Sequence, residues 1–276
     1  MTMATAASTV NNNAQVLIRP FGRTLIIYAK EAKFEFLTRL RLRAFSLSTI
    51  GFPVMFYVLF GLVLNGKEAT LNGTHFATYL IATYSTFGVM GASLFGTAAG
   101  LASERGLGWL QVKRASPMPP FAYFVAKVVM SMIFSAAVVL ALFALGFTLG
   151  GVHLAVADSL KLLGILVLGS LPFCAMGLAI GYFCGPTSAT PIINLVYVPL
   201  SFCSGLWVPL MFLPKALQNF AHLLPPYHLA QLALGAVGAG QPESSWTHWA
   251  VLIVFTLVCL GMARVGFQRD EGKTYG

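Results

Sequence analysis

Charged side chains are scarce in this sequence. Asp, Glu, Lys and Arg make up 9% of its 276 residues, against about 25% in an ordinary soluble domain. So little charge cannot cover a water-facing surface, which argues against a soluble enzyme or binding module. Acids are the scarcer sign, eight against 17 basic residues, for a net charge of +9. That balance could suggest nucleic acid. The basic residues, however, sit beside the ends of apolar runs, where they orient spans and meet anionic lipid headgroups, so lipids and not nucleic acid are the expected partner. Cysteines are few, and Cys174, Cys184, Cys203 and Cys259 show no metal-ligand spacing; they read as small buried apolar residues. Residues 1–20 lack an apolar h-region, so a mobile tail (1–21) is expected there and not a cleavable signal peptide.

Chemistry is also missing inside the apolar runs. No Asp, Glu, Lys or Arg falls at an expected midplane, and Lys127, Lys161 and Arg264 stand near span ends, where they can snorkel. Proton- and sodium-coupled carriers usually keep ionisable groups at that depth. Either the chain is a passive pore, or its energy arrives from another molecule. A carrier or channel that holds sodium by carbonyls and hydroxyls stays open as an alternative. The stretch Gly61 to Lys67 matches seven positions of a phosphate-binding loop, but Glu68 stands where Ser or Thr should hold magnesium, and the run ends a span instead of following a strand. No nucleotide site, metal site or catalytic group is expected. His222 and His228 are six apart, which does not stack them as metal ligands. A membrane enzyme using His222, His228 or Glu243 has no support from spacing.

What is present is apolar: 57% of residues, in several runs near the roughly 20 residues that cross a bilayer as helix. In lipid every backbone polar group must be bonded internally, so the fold class is an all-α integral membrane protein. Residues 22–276 read as a single transmembrane domain of six spans, about 44–64, 76–102, 122–149, 160–184, 189–208 and 246–267. Ahead of them, Leu25, Ala29, Ala32, Phe36 and Leu40 follow a three-and-four spacing between basic residues. This fits an ordinary lead-in or, better, an amphipathic interfacial helix in the headgroup plane. With the N-terminus inside, only Lys67, Lys161 and Lys215 fall outside, so both termini are expected in the cytoplasm. Residues 209–241 are too broken for a span and too apolar for an ordinary loop. Pro214 and Pro226 could each start a short helix, and a re-entrant helical hairpin before the last span is favoured over a surface loop. Small residues recur at intervals of four (Ala92, Gly96, Gly100; Gly177, Gly181, Gly185) and favour close helix packing, while Pro172 and Pro199 are expected to kink their spans.

The longest polar interruption facing the cytoplasm is the loop 103–121, with a helix expected from Glu104 to Arg114 and ending before Ser116-Pro117. Glu104, Arg105, Gly108, Trp109, Leu110, Lys113, Arg114, Ser116 and Pro117, followed by Ala126-Lys127, resemble the corresponding loop of ABC-2 type transporter permeases. Gly205, Pro209, Pro214, Pro225, Pro226 and Tyr227 resemble that family's late segment. Where the family often has Gly-Thr-Leu-Glu, this chain has Gly108-Trp109-Leu110-Gln111. The resemblance implies a permease without ATPase activity of its own, in a homodimer or heterodimer with a second permease copy. Cytosolic ABC ATPase subunits would drive it, with ATP and magnesium on that partner. It implies coupling through Glu104, Arg105, Gly108, Trp109, Leu110, Lys113 and Arg114, with charge reversal at Glu104 or Arg105 uncoupling transport. It also implies export of an amphipathic, lipidic, drug-like or glycan-linked cargo, with sodium less favoured, across a bacterial plasma (inner) membrane. Spans two and five would line the route, with Tyr84, Thr86, Asn194, Tyr197 and Ser201 as candidate contacts.

Overall fold

The computed structural model describes residues 21–64, 69–71, 74–116, 118–119, 121–240 and 244–271. Residues 1–20 of the expected tail, residues 65–68 at the end of the incomplete phosphate loop, and Glu243 lie outside these residues. The chain is an all-α bundle. Helix α1 (Phe21–Arg41) turns at Leu42 into α2 (Arg43–Phe56), which continues through wider π-type turns (Tyr57–Leu64) as the first span. A short antiparallel pair, β1 (Thr70–Leu71) with β2 (Thr74–His75), leads to the second span: α3 (Phe76–Leu94), a π turn (Phe95–Ala99) and α4 (Gly100–Gly106). After the short α5 (Trp109–Ala115) come α6 (Ala122–Thr148), α7 (Val156–Leu168), α8 (Ser170–Phe183) and α9 (Ala189–Cys203). Two short helices, α10 (Lys215–Ala221) and α11 (Pro225–Ala236), precede the last, α12 (Ser245–Glu271).

Among the described residues five helical stretches are long and apolar enough to cross a bilayer: Arg43–Leu64, Phe76–Gly106, Ala122–Thr148, Val156–Phe183 and Ser245–Asp270. The fifth expected span is shorter than its apolar run. Helix α9 stops at Cys203, and its 15 residues cover about 22 Å at 1.5 Å per residue. The second span is the centre of the bundle. Its most apolar window is 89% buried, against 17% and 22% for the first and last spans, whose outer faces are left for lipid or another chain.

Three expectations change in detail. The fourth span breaks at Gly169, and Pro172 falls in the first turn of α8, where a missing N–H costs little. Pro225 and not Pro226 takes the first helical position of α11, which is buried on nearly every side because it packs between α3, α7 and α12. The α1 stripe divides: Phe36 packs on the Phe134 ring, with centroids 5.5 Å apart, while Leu25 and Leu40 stay exposed. Spans two and four meet closely, as the small-residue spacing implied. A side chain on Gly177 would land on the Thr97 hydroxyl.

Candidate functional site

At its charged end the second span leaves the bundle through α4. The expected single helix from Glu104 to Arg114 is interrupted: α4 ends at Gly106, and Gly108 takes a left-handed conformation (φ 74°) before α5 begins. Glycine adopts that backbone without the clash a Cβ would bring. The turn splits the segment's side chains into two sets. Leu110 points back, 6% exposed, into a small apolar cluster with Leu101, Tyr123 and Tyr182. Leu107, Trp109 and Val112 point away from the protein and are 74%, 56% and 59% exposed.

Glu104 and Arg105 face inward. The Arg105 guanidinium donates to Asp270 Oδ1 at 2.6 and 3.1 Å and to the carbonyls of Gly181 and Tyr182 at 2.7 and 2.8 Å. It therefore caps the C-terminal end of α8, where unpaired carbonyls and the helix dipole favour a cation, and ties that end to α12. Glu104 turns to the other side of the molecule. Its carboxylate lies 2.8 Å from Lys127 Nζ, 3.7 Å from the Arg39 guanidinium and 3.8 Å from Lys113 Nζ.

Lys127 does not snorkel. It is 0% exposed, and its ammonium donates to Glu35 at 2.9 Å as well as to Glu104. Lys113 in turn pairs with Glu31 at 2.6 Å, and both lysine ammonium groups stand 4.7 Å from the Tyr123 ring. A buried ammonium keeps its charge only when such partners offset the lost hydration. The cluster balances three carboxylates (Glu31, Glu35, Glu104) against three cations (Arg39, Lys113, Lys127). Burial alone would push the Glu35 carboxyl up. The charges of Lys127 and Arg39 outweigh it and hold Glu35 below the usual carboxylate range.

Sequence reasoning missed Glu31, Glu35 and Asp270 as partners. The signal was there in part: Glu31, Glu35 and Arg39 are spaced four apart, so they share one face of α1. The Arg114 side chain and Pro117 lie outside the described residues.

The candidate route residues separate. Tyr84 donates to the Trp207 carbonyl (3.2 Å), Thr86 to Ala82 (2.8 Å), Tyr197 to Phe87 (3.1 Å) and Ser201 to Val198 (2.9 Å), so these hydroxyls are bonded to backbone inside the protein. Asn194 is exposed. Together with Tyr197 it lines a lateral groove of about 380 Å³ between α2, the second span and α9. Phe45, Phe52 and Phe95 supply apolar walls, and Arg39 stands at one end. At the opposite end of the bundle His228 Nδ1 lies 2.8 Å from His248 Nδ1, and His228 Nε2 lies 2.9 Å from the His222 carbonyl. Because that carbonyl only accepts, His228 carries its proton on Nε2 when neutral, and His248 donates through Nδ1. The pair joins α11 to α12. Among the described residues no group of three His, Cys, Asp or Glu is placed to hold a metal.

Comparison with known proteins agrees with this architecture. Over 89% of its length the chain is 25% identical to a Bacillus subtilis (strain 168) protein named as a transport permease, YvfS, and the match covers 98% of that protein. A family model described as ABC-2 type transporter matches residues 32–238, from α1 through the first five apolar helices to the end of α11. With three quarters of its length accounted for in this way, the chain belongs to the ABC-2 type transporter family and is the transmembrane subunit of an ABC transporter.

Proposed function

We propose that this subunit works as an exporter in a pair of permease copies, driven by cytosolic ABC ATPase subunits that carry the ATP and magnesium. The observation that carries this reading is the outward set of Leu107, just before the Gly108 turn, with Trp109 and Val112 on the short helix α5 beyond the spans. Large apolar side chains clustered on a water-facing segment mark a docking surface, and a tryptophan among them is a common binding anchor. Seated in a cleft of the ATPase, α5 would receive the motion of ATP-driven closure. On this reading both termini lie in the cytoplasm and the chain sits in the plasma membrane of a bacterium; the distribution of basic residues supports that orientation.

The groove supports an amphipathic, lipidic, drug-like or glycan-linked cargo. Its walls are mostly apolar, its open side gives lateral access, and Asn194 and Arg39 offer polar ends. Sodium fits less well, because such walls present few oxygen ligands. Coexpression with a candidate ABC ATPase tests the docking surface. The native chain co-purifies with the ATPase, whereas Trp109→Ala combined with Val112→Asp loses the complex while still inserting. Unchanged complex and transport in the double variant, or ATP hydrolysis by the purified chain alone, would overturn this reading.

A further inference from the structure

Helix α5 has little to hold it in place. Of its described side chains only Leu110 is buried, and its start at Gly108 is a turn with open space around it. A push on such a helix would swing it about that turn unless something else ties it down. The ties are ionic, and they run to α1. Glu31 holds Lys113 of α5 at 2.6 Å, Glu35 holds Lys127 of α6 at 2.9 Å, and Arg39 reaches Glu104 of α4 at 3.7 Å. Three successive turns of one helix face thus grip three different elements. Lys127, fully buried, closes the set by bridging Glu35 and Glu104.

We propose that this clasp of Lys113 and Lys127 with the Glu31–Glu35–Arg39 face makes α5, α1 and the charged end of α6 one rigid body. Lys113 and Lys127 are then positioning residues. A displacement delivered to α5 is carried to α1 at the membrane surface and to the third span, and does not dissipate at Gly108. The delivery of that displacement rests on the proposed ATPase docking; the rigidity does not.

The test measures rigidity without any partner. Spin labels on exposed Gln111 of α5 and exposed Lys30 of α1 are placed in the full chain in liposomes, with Cys184 and Cys203 replaced by Ser. The native pairing gives a single narrow distance. Lys113→Met loses that peak to a broad distribution, and Lys113→Glu combined with Glu31→Lys restores it, since this pair is partly exposed and can exchange signs. Lys127→Met, in which Glu35 and Glu104 face each other without the bridging charge, broadens the same distance. A narrow peak in both Met variants, or failure of the exchanged pair to restore it, overturns the clasp. With the ATPase present, Lys113→Met keeps the complex and loses transport per ATP consumed. Loss of the complex itself would return α5 contact to Lys113 and overturn its positioning role.

Discussion

Glu104 and Arg105 are adjacent in the chain and hold opposite sides of the molecule. The first lies 2.8 Å from Lys127 on the third span, and the second lies 2.6 Å from Asp270 at the end of the last helix. From a single peptide unit, α4 therefore fastens α1 and α6 on one flank and α8 and α12 on the other. Their sequence position suggested direct contact with a partner. Their geometry turns both inward, as braces behind the exposed Leu107, Trp109 and Val112.

Removing the Arg105 brace should be felt as lost stability. Arg105→Ala removes the guanidinium's bonds to the Gly181 and Tyr182 carbonyls and to Asp270, at a cost of about 1–3 kcal/mol. A lowered unfolding temperature in detergent, with spans still inserted, is the expected result. An unchanged temperature would show that the observed bonds carry no net weight.

Trp109→Ala should behave in the opposite way. The ring is more than half exposed, so stability changes by no more than about 0.5 kcal/mol, while affinity for the ATPase falls. Paired unfolding and binding measurements separate this variant from Arg105→Ala, which loses stability first.

Acid should weaken the α1 junction through Glu35. Its carboxyl titrates below the usual range in the folded protein, so folding favours the ionised form. The resulting stabilisation is complete above the ordinary carboxylate pKa and is lost as pH falls through the lowered folded-state value. Glu35→Gln removes this dependence; Lys127 keeps Glu104, so the cost at neutral pH is that of one charged hydrogen bond, about 1.5–3 kcal/mol. Unfolding temperatures of the two proteins should converge as the pH is lowered; parallel curves would contradict the assignment.

Gly108 offers a purely conformational test. Nothing lies within 4 Å of a Cβ placed there, yet φ is 74°, so Gly108→Ala adds strain of about 1–2 kcal/mol without a clash. Asparagine tolerates that region better and should cost less. Equal losses for the two would point to something other than backbone conformation.

The spans were legible because bilayer thickness imposes apolar runs of fixed length, and the charged segment after Ala102 stood out against them. The facing of individual residues was harder to read. Gly108 is compatible with a continuous helix until a left-handed turn is required, and reading through it placed Glu104 and Trp109 on one handle. Lys127 sits six residues into α6, close enough to a span end to suggest snorkelling; its burial depends on two carboxylates distant in sequence. Glu31 and Glu35 stand among Lys30, Lys33 and Arg39, so the stretch reads as basic although its acids make the contacts to other helices. Tyr84, Thr86 and Ser201 are candidate route contacts by sequence; in the fold their hydroxyls donate to backbone carbonyls, Tyr84 to Trp207 in a bend distant in sequence and the other two to Ala82 and Val198 on their own helices.

The π turn at Phe95–Ala99 has an effect at a distance. Such a turn takes up one residue more than an α turn, and one residue corresponds to a rotation of roughly 100° about the helix axis. Everything beyond Ala99 is therefore out of phase with the rest of the second span. This offset helps to aim Glu104 at Lys127, and Arg105 at Asp270. Span two acts as a shaft with an angular step cut into it: straightening that turn into α-helix at full length would swing both charged side chains by roughly 100° without altering any residue of the junction they hold.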